Sequence, residues 1–402
     1  MRADLFAAHA ALSRRSALGL AGAAALGVAG LAGASPAAAT GPRGGGGGDA
    51  GGYDDEMFDV ASAEGGGWAP SRYGAGDQRG TFNEVTAATT AAALQLLADG
   101  GPVRTYNLGE LMTNGFPAFQ TEPPRVYEQR LTVTGYQPPA GFVEGGGILQ
   151  TTTPLGANKV SIHEERFPQG YTYQIVTQLD GLNHLGVGAT FYNGFQGPDI
   201  ATPTGTSKLG NEHMGPVVTR GVLLDVLGLK LEEGAGDALS ESADGDPVLL
   251  DNYRITIADL EAAAERGGTG DIRPGDVVLL RTGWNRIARS DPERYLTQEP
   301  GIYLAESRYL ADRRPAIIGS DTWGLEVLGN PVVEAVFPVH QELLVKNGIR
   351  IGEGVITDGL AEDGVFEFVY VTTPQYAQGA TAGNAPPAAL GQPGRRHRRR
   401  HG

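Results

Sequence analysis

The chain has 402 residues with 62 Gly, 25 Pro and no Cys, and a formal net charge of −15. The missing cysteines exclude disulfides, thiolate metal ligands and thiol nucleophiles, and the acidic balance excludes nucleic acid as the main partner, because phosphate binding needs a basic face. Gly and Pro make up about a fifth of the chain, more than a compact domain usually carries, which assigns part of the length to segments outside a core.

Residues 1–39 read as a secretory leader. Arg14-Arg15 stand directly ahead of an apolar run from Ala17 to Ala34, and the small residues Ala37 to Ala39 offer a cleavage site after Ala39. Paired arginines before a weakly hydrophobic, Gly-diluted run resemble a twin-arginine signal, which exports folded proteins. The expected location is therefore outside the cell or in the cell wall. No stable membrane anchor is expected after processing, since the run is marginal in length and rich in Gly and Ala. Residues 40–65, including Gly44 to Gly48, read as a Gly-rich linker.

Residues 66–380 read as one domain. In chain order the patterns predict a helix over Asn83 to Leu97, then strands over Val103 to Leu108, Leu131 to Tyr136, Tyr171 to Leu179 and Gly221 to Leu227. A helix over Ile257 to Arg266 follows, with Thr256 as its cap and Asp259 at the capping-box spacing. Next come a strand over Asp276 to Arg281, a helix over Ile302 to Arg313 and a strand over Ala316 to Ser320. A helix over Val333 to Asn347 and strands over Ile349 to Gly352 and Phe366 to Thr372 close the series. Strands and helices mixed in this way predict a single α/β domain, and no period of 20 to 50 residues repeats. Residues 381–402 read as a disordered basic tail ending in Arg395, Arg396, Arg398, Arg399 and Arg400. Its expected contact is an anionic surface polymer or the protein's own acidic face. The tail carries +5 and the leader +2, so the residues between carry −22.

The nucleophile elbow, the phosphate-binding Gly loop and the zinc-protease helix motif are all absent. Four histidines lie outside the leader and tail: His163, His184, His213 and His340. Two of them sit in segments with other candidate chemistry. In the first, an alternating strand would present Gln174, Gln178 and Asp180 on one face, and Gly181 would turn the chain to bring His184 back. In the second, His340 opens a helix that stops at Gly348, and Glu353 ends the returning strand. Oxygen and nitrogen donors converging at strand ends suit metal-assisted hydrolysis.

These segments resemble the cyclase family of metal-dependent hydrolases, which includes kynurenine formamidase and isatin hydrolase. The family signature His-x-Gly-Thr-His-x-Asp-x-Pro-x-His aligns with Gln174-Ile-Val-Thr177-Gln178-Leu-Asp180-Gly-Leu-Asn-His184. Matching stretches include Trp68 to Asn83, Arg220 to Asp225, Pro274 to Trp284, Gly319 to Trp323 and His340 to Glu353, so the resemblance covers nearly the whole domain. It implies an α/β fold of the swivelling β/β/α type, with a mixed sheet and flanking helices. It also implies a metal site formed by Asp180, His340 and Glu353, with His184 transferring protons. Both early signature histidines are replaced, by Gln174 and Gln178; Gln at the second position is frequent in the longer branch of the family the chain resembles. Neutral amides are weak ligands, so the expected content is one divalent ion, Mn or Zn, with a second metal doubtful.

The implied activity is arylformamidase-like hydrolysis of a formamide or cyclic amide, a step of the kind found in tryptophan catabolism, with a small molecule as substrate. Two alternatives stay open: a polyketide-type cyclase or dehydratase at the same site, and a metal-free binding protein on the same fold. A homo-oligomer also stays open. Trp68, Tyr173 and Trp323 are candidates for an aromatic substrate wall. Asp321 reads as a turn residue or as an acceptor orienting His340, and Asp225 as a strand terminus.

Overall fold

The computed structural model describes residues 52–98, 100–168, 170–329, 335–384 and 386–394. The leader, residues 40–51 of the Gly-rich linker and the terminal arginines lie outside the described residues. Among the described residues no helix is long and apolar enough to cross a membrane.

A nine-stranded mixed sheet organises the domain. Its strands are β1 (Arg104–Asn107), β2 (Gln178–Asp180), β3 (Val217–Leu224), β4 (Val277–Leu280), β5 (Ile317–Ser320), β6 (Arg350–Glu353), β7 (Glu367–Thr372), β8 (Ala382–Gly383) and β9 (Ala388–Gly391). They lie in the order β1-β9-β7-β3-β4-β5-β6-β2-β8. The central four, β3 to β6, are parallel, and each flank is antiparallel. Val277-Val278-Leu279-Leu280 is buried throughout, as expected for a strand covered on both faces.

Alternation along the strands divides the core into two layers. Val222, Leu224, Val278, Leu280, Ile318 and Ile351 face one side, together with Leu227, Leu260, Leu304, Leu310 and Leu344. Those partners come from α3 (Val226–Glu233), α4 (Ile257–Gly267), α5 (Leu304–Ala311) and the π-helical turns of Gln341–Asn347, after the short α1 (Val60–Glu64) and α2 (Ala87–Leu94). Leu223, Val277, Leu279, Ile317 and Phe368 face the other side with Phe82, Tyr106 and Leu108. The expected α/β class with a mixed sheet and flanking helices is what the structure shows.

The capping box at Thr256 and Asp259 is formed as expected, and the helix it opens ends on the left-handed Gly268. Several boundaries move. The expected helix from Asn83 begins at Ala87, where Thr86 caps it, after a 3₁₀ turn over Gly80–Glu84. The strand expected to run to Leu227 stops at Leu224, because the Asp225 side chain accepts from the Gly228 N–H and starts α3.

The largest correction concerns Tyr171 to Leu179, of which only Gln178–Asp180 is a strand. Val176 has φ 63°, which breaks the alternation. The carbonyls of Tyr173, Ile175 and Thr177 all accept from the Asn384 amide, at 2.9, 2.8 and 3.1 Å, in place of ladder bonds. The two ends of the domain also extend further than expected. β8 pairs with Leu179 and Asp180, and β9 fills the gap between β1 and β7, so the ordered sheet continues well past residue 380. On the other side, α1 lies inside the expected linker. Asp55, just before it, pairs with Arg254 at 2.6 Å, so this acidic stretch has an ion-pair partner on the domain.

Candidate metal centre

β2 and β6 are antiparallel neighbours, with Glu353 opposite Gln178 and Gly352 opposite Leu179. Asp180 lies two residues beyond Gln178 on the same face of β2, diagonal to Glu353 across the pair. His340 arrives from the short helix Pro338–His340, and the π-helical turns after it stop at the left-handed Gly348, so the chain returns directly into β6. One ligand atom each from Asp180, His340 and Glu353 lies within 4.8 Å of the others. The His340 Nε2 atom is 3.2 Å from Glu353 Oε1 and 3.8 Å from Asp180 Oδ2. All three side chains are buried, Asp180 completely.

The donor set fits a divalent cation. Among the described residues neither Asp180 oxygen has a hydrogen-bond partner, and the Gln178 Oε1 atom is likewise buried without one. A buried carboxylate left in that state carries a desolvation cost that a cation would offset. Burial pushes Asp180 up to about 6; His184 and His340 pull it back and Glu353 adds to the rise. The imidazole is oriented by a residue the sequence did not single out. His340 Nδ1 lies 2.6 Å from Glu326 Oε1, and the backbone N–H groups of Val339 and His340 donate to the same carboxylate at 3.2 Å. An Nδ1–H held on Glu326 leaves the Nε2 lone pair facing Asp180 and Glu353, the orientation a metal-ligating histidine needs. Without a cation, burial disfavours the imidazolium, but the hydrogen bonds to Glu326 and Glu353 outweigh it and hold His340 well above its ordinary value.

The two glutamines form part of the same cluster. The Gln178 amide donates to Glu353 Oε2 and, at 3.0 Å, to Gln174 Oε1, while Gln174 Nε2 donates to the Thr381 carbonyl at 3.3 Å. Gln178 thus occupies the outer oxygen of Glu353, and the inner one faces His340. His184 lies one turn beyond Asp180, its N–H donating to the Gly181 carbonyl at 3.1 Å. Burial lowers its pKa and Asp180 opposes that shift, so a neutral imidazole able to accept a proton stands beside the carboxylate.

Of the three expected aromatics, only Trp323 belongs to a ring cluster that reaches a ligand. It stacks on Phe119 at 5.1 Å and 15°, meets Phe337 edge-on at 6.1 Å, and Phe337 in turn lies 5.1 Å from the His340 ring. Trp68 instead packs on Phe58 at 4.9 Å, in a small cluster with Ala63, Val187 and Val345. Tyr173 packs edge-on against Tyr171, whose hydroxyl donates to Asn384. Asp321 does not orient His340; it accepts from the N–H groups of Thr282 and Gly283 and from the Thr282 hydroxyl.

Three non-glycine residues with left-handed backbone surround the centre: Val176 (φ 63°), Leu325 (φ 62°) and Phe337 (φ 52°). Such strain concentrates where surrounding structure fixes functional side chains. Val176 occupies the Gly position of the aligned signature, so a β-branched residue here adopts the backbone that glycine favours. Glu299, completely buried, accepts from the Trp323 and Gly324 N–H groups through Oε2 and leaves Oε1 without a partner. Burial, with a smaller contribution from Glu353, holds it well above the usual carboxylate range. Glu326 and Glu299 lacked a sequence signal, because each lies in an irregular segment and no spacing rule ties it to His340.

A family model described as "Putative cyclase" matches residues 107–327. That span contains Asp180 and His184 and ends before His340. A crystal structure of a novel cyclase is 28% identical, with a TM-score of 0.62, covering 79% of this chain and 97% of that one. Isatin hydrolase A from Ralstonia solanacearum is 16% identical, with a TM-score of 0.48 and coverage of 76% and 97%. The Labrenzia aggregata isatin hydrolase A bound to benzyl benzoate is also 16% identical, with a TM-score of 0.47 and coverage of 75% and 98%. No curated protein matches the chain. The family match spans more than half of the residues, and the chain belongs to the cyclase family.

Proposed function

We propose that this chain is a metal-dependent hydrolase of a formamide or cyclic amide, with arylformamidase-like chemistry. The observation that carries the reading is the convergence of Asp180, His340 and Glu353 around a fully buried carboxylate whose two oxygens have no hydrogen bond. A divalent ion, Mn or Zn, would be held by these three side chains and would supply Lewis acidity, lowering the pKa of a water and polarising a carbonyl. Two carboxylates and one imidazole leave positions open for those oxygens, as in catalytic sites. The solved relatives named as isatin hydrolases suggest this class of amide.

His184 supplies the proton path. Its neutral imidazole takes a proton from the water whose oxygen adds to the carbonyl carbon, and returns it to the nitrogen as the C–N bond breaks. Glu326 fixes His340, and Gln178 fixes Glu353, so neither ligand has to reorient during turnover. Trp323, Phe119 and Phe337 provide an aromatic wall beside His340 for a planar substrate. The reading extends to an exported enzyme, supported by Arg14-Arg15 ahead of the apolar run.

The test is metal analysis of the purified chain after growth with added Mn or Zn, joined to assays on N-formylkynurenine, isatin and simple anilides. About one equivalent of metal, with hydrolysis abolished in His184→Ala, is the expected result. A content below about a tenth of an equivalent would overturn the metal assignment and leave a binding protein on the cyclase fold. Full activity in His184→Ala would remove the proton-transfer role.

A further inference from the structure

Arg125 is placed where a guanidinium should have an acid and, among the described residues, has none in contact. It lies on the segment between β1 and the strand Arg130–Thr134, half-buried. Its one hydrogen bond among the described residues is a long one, from Nη1 to the Gln174 carbonyl at 3.4 Å. Three other inward-facing arginines of this acidic protein are paired at contact distance, Arg220 with Asp276 at 2.6 Å, Arg281 with Asp225 at 2.9 Å and Arg254 with Asp55 at 2.6 Å. Among the described residues the fully buried Arg350 is not, but it packs over the Phe82 ring and away from the aromatic wall of Phe119, Trp323 and Phe337. The guanidinium of Arg125 sits 5.8 Å from the centre of the Phe119 ring, the same ring that stacks on Trp323 and meets Phe337 edge-on at 5.6 Å. Burial pushes its pKa down, while Glu353 and then Asp180 pull it back, so it lies within electrostatic reach of two ligands of the centre.

These observations describe one arrangement. The ligand cluster stands at one end of an aromatic wall, and a guanidinium with unfilled donors stands at the other. Phe119, Trp323 and Phe337 all keep part of their surface open. A cation engaging Asp180 and Glu353 would neutralise the charges that now attract Arg125, leaving its fork free for an anion brought by the substrate. Arginine is suited to that task, because its planar donors match a carboxylate two at a time.

We propose that Arg125 is a specificity-determining residue that binds a carboxylate carried by an aromatic amide substrate, whose ring lies along Phe119, Trp323 and Phe337. This rests on the hydrolase reading above and narrows it from amides in general to anionic aryl amides. The residue selects substrate and takes no part in proton transfer.

The test uses the full chain, with Arg125→Met and Arg125→Lys, and a matched substrate pair: 2-formamidobenzoate, which carries the carboxylate, and formanilide, which lacks it. The readout is the ratio of kcat/KM for the two. The wild type should prefer the carboxylate, Arg125→Met should reduce the ratio by about tenfold or more, and Arg125→Lys should recover part of it. A second arm reads binding without turnover, as quenching of tryptophan fluorescence by benzoate against benzamide, with metal content and melting temperature recorded for each variant. Loss of benzoate selectivity in Arg125→Met at unchanged metal content supports the assignment. A ratio and a quenching preference both unmoved in Arg125→Met would overturn it. If the wild type binds no metal and turns over neither substrate, the hydrolase reading fails, and the quenching arm still decides whether Arg125 binds a carboxylate.

Discussion

Glu326→Gln tests whether the carboxylate behind His340 sets the metal site. Oε1 of Glu326 receives the imidazole Nδ1–H at 2.6 Å and the His340 N–H at 3.2 Å, and Oε2 receives the Val339 N–H at 3.2 Å. Glutamine keeps an acceptor oxygen for the imidazole but loses the charge that strengthens that bond, and its NH₂ group faces the Val339 N–H. Loss of a partner of this kind costs about 10- to 100-fold in metal affinity, or about 1.4–2.7 kcal/mol. The unpaired Val339 N–H adds about 1–3 kcal/mol of lost stability. A chelator-competition titration with Mn or Zn reads the first effect and thermal unfolding of the apo chain reads the second. Affinity within about twofold of wild type, in a variant that still folds, would refute the idea that Glu326 orients His340 for a cation.

Four further outcomes are expected. Val176 should reverse the usual order of small residues: Val176→Gly should be more stable than Val176→Ala by about 1 kcal/mol in urea unfolding, since only glycine relieves the left-handed backbone at φ 63°. Truncation after residue 380 should abolish soluble, cooperatively folding protein by removing β8 and β9. Asp321 is raised by burial from 3.8 to about 6. The native state therefore holds its proton longer than the unfolded chain, and this group's contribution falls as pH rises from about 4 to about 6. Denaturation at both pH values should show Asp321→Asn lacking up to about 3 kcal/mol of that decline. Finally, the double variant Gln174→His, Gln178→His restores both signature imidazoles, and its metal content should rise from about one equivalent toward about two.

The legible part of this fold is the part set by local pattern. Buried β-branched runs such as Val277 to Leu280 and the Thr256–Asp259 capping box carry their structure in a few adjacent residues, so their positions follow from composition and spacing. Tyr171 to Thr177 shows the opposite case. Its tyrosines, threonines, isoleucine and valine have high strand propensity, yet Asn384, more than 200 residues later, collects its carbonyls and Val176 turns left-handed. The C-terminal strands were hidden for a related reason: Ala388–Gly391 has the composition of a linker, and it becomes a strand because β1 and β7 offer it ladder bonds on both sides. The ligand trio was legible because each member ends or opens a regular element. Glu326, Glu299 and Arg125 were not, because their roles exist only once the sheet has brought distant loops together.

The imidazoles of the signature and the amides that replace them are both neutral as ligands, so the exchange weakens the donors and leaves the charge of the trio unchanged. Asp180 and Glu353 place two carboxyl groups in a buried site, and one divalent ion held there would offset both. A second divalent ion would leave an excess of positive charge beside Arg125, already within reach of both carboxylates. Gln178 instead spends its amide hydrogens on Glu353 and on Gln174, which fills the adjacent space with neutral, mutually hydrogen-bonded groups. With one cation bound the centre would be balanced and Arg125 left over, and that remaining positive charge is what an anionic substrate would meet. On this account the two glutamines and Arg125 are coupled: in the double-histidine variant that takes up a second metal, the repulsion on Arg125 should grow and the preference for 2-formamidobenzoate over formanilide should change with it. A substrate ratio identical in that variant and the wild type, at two equivalents of bound metal, would separate the glutamines from substrate selection.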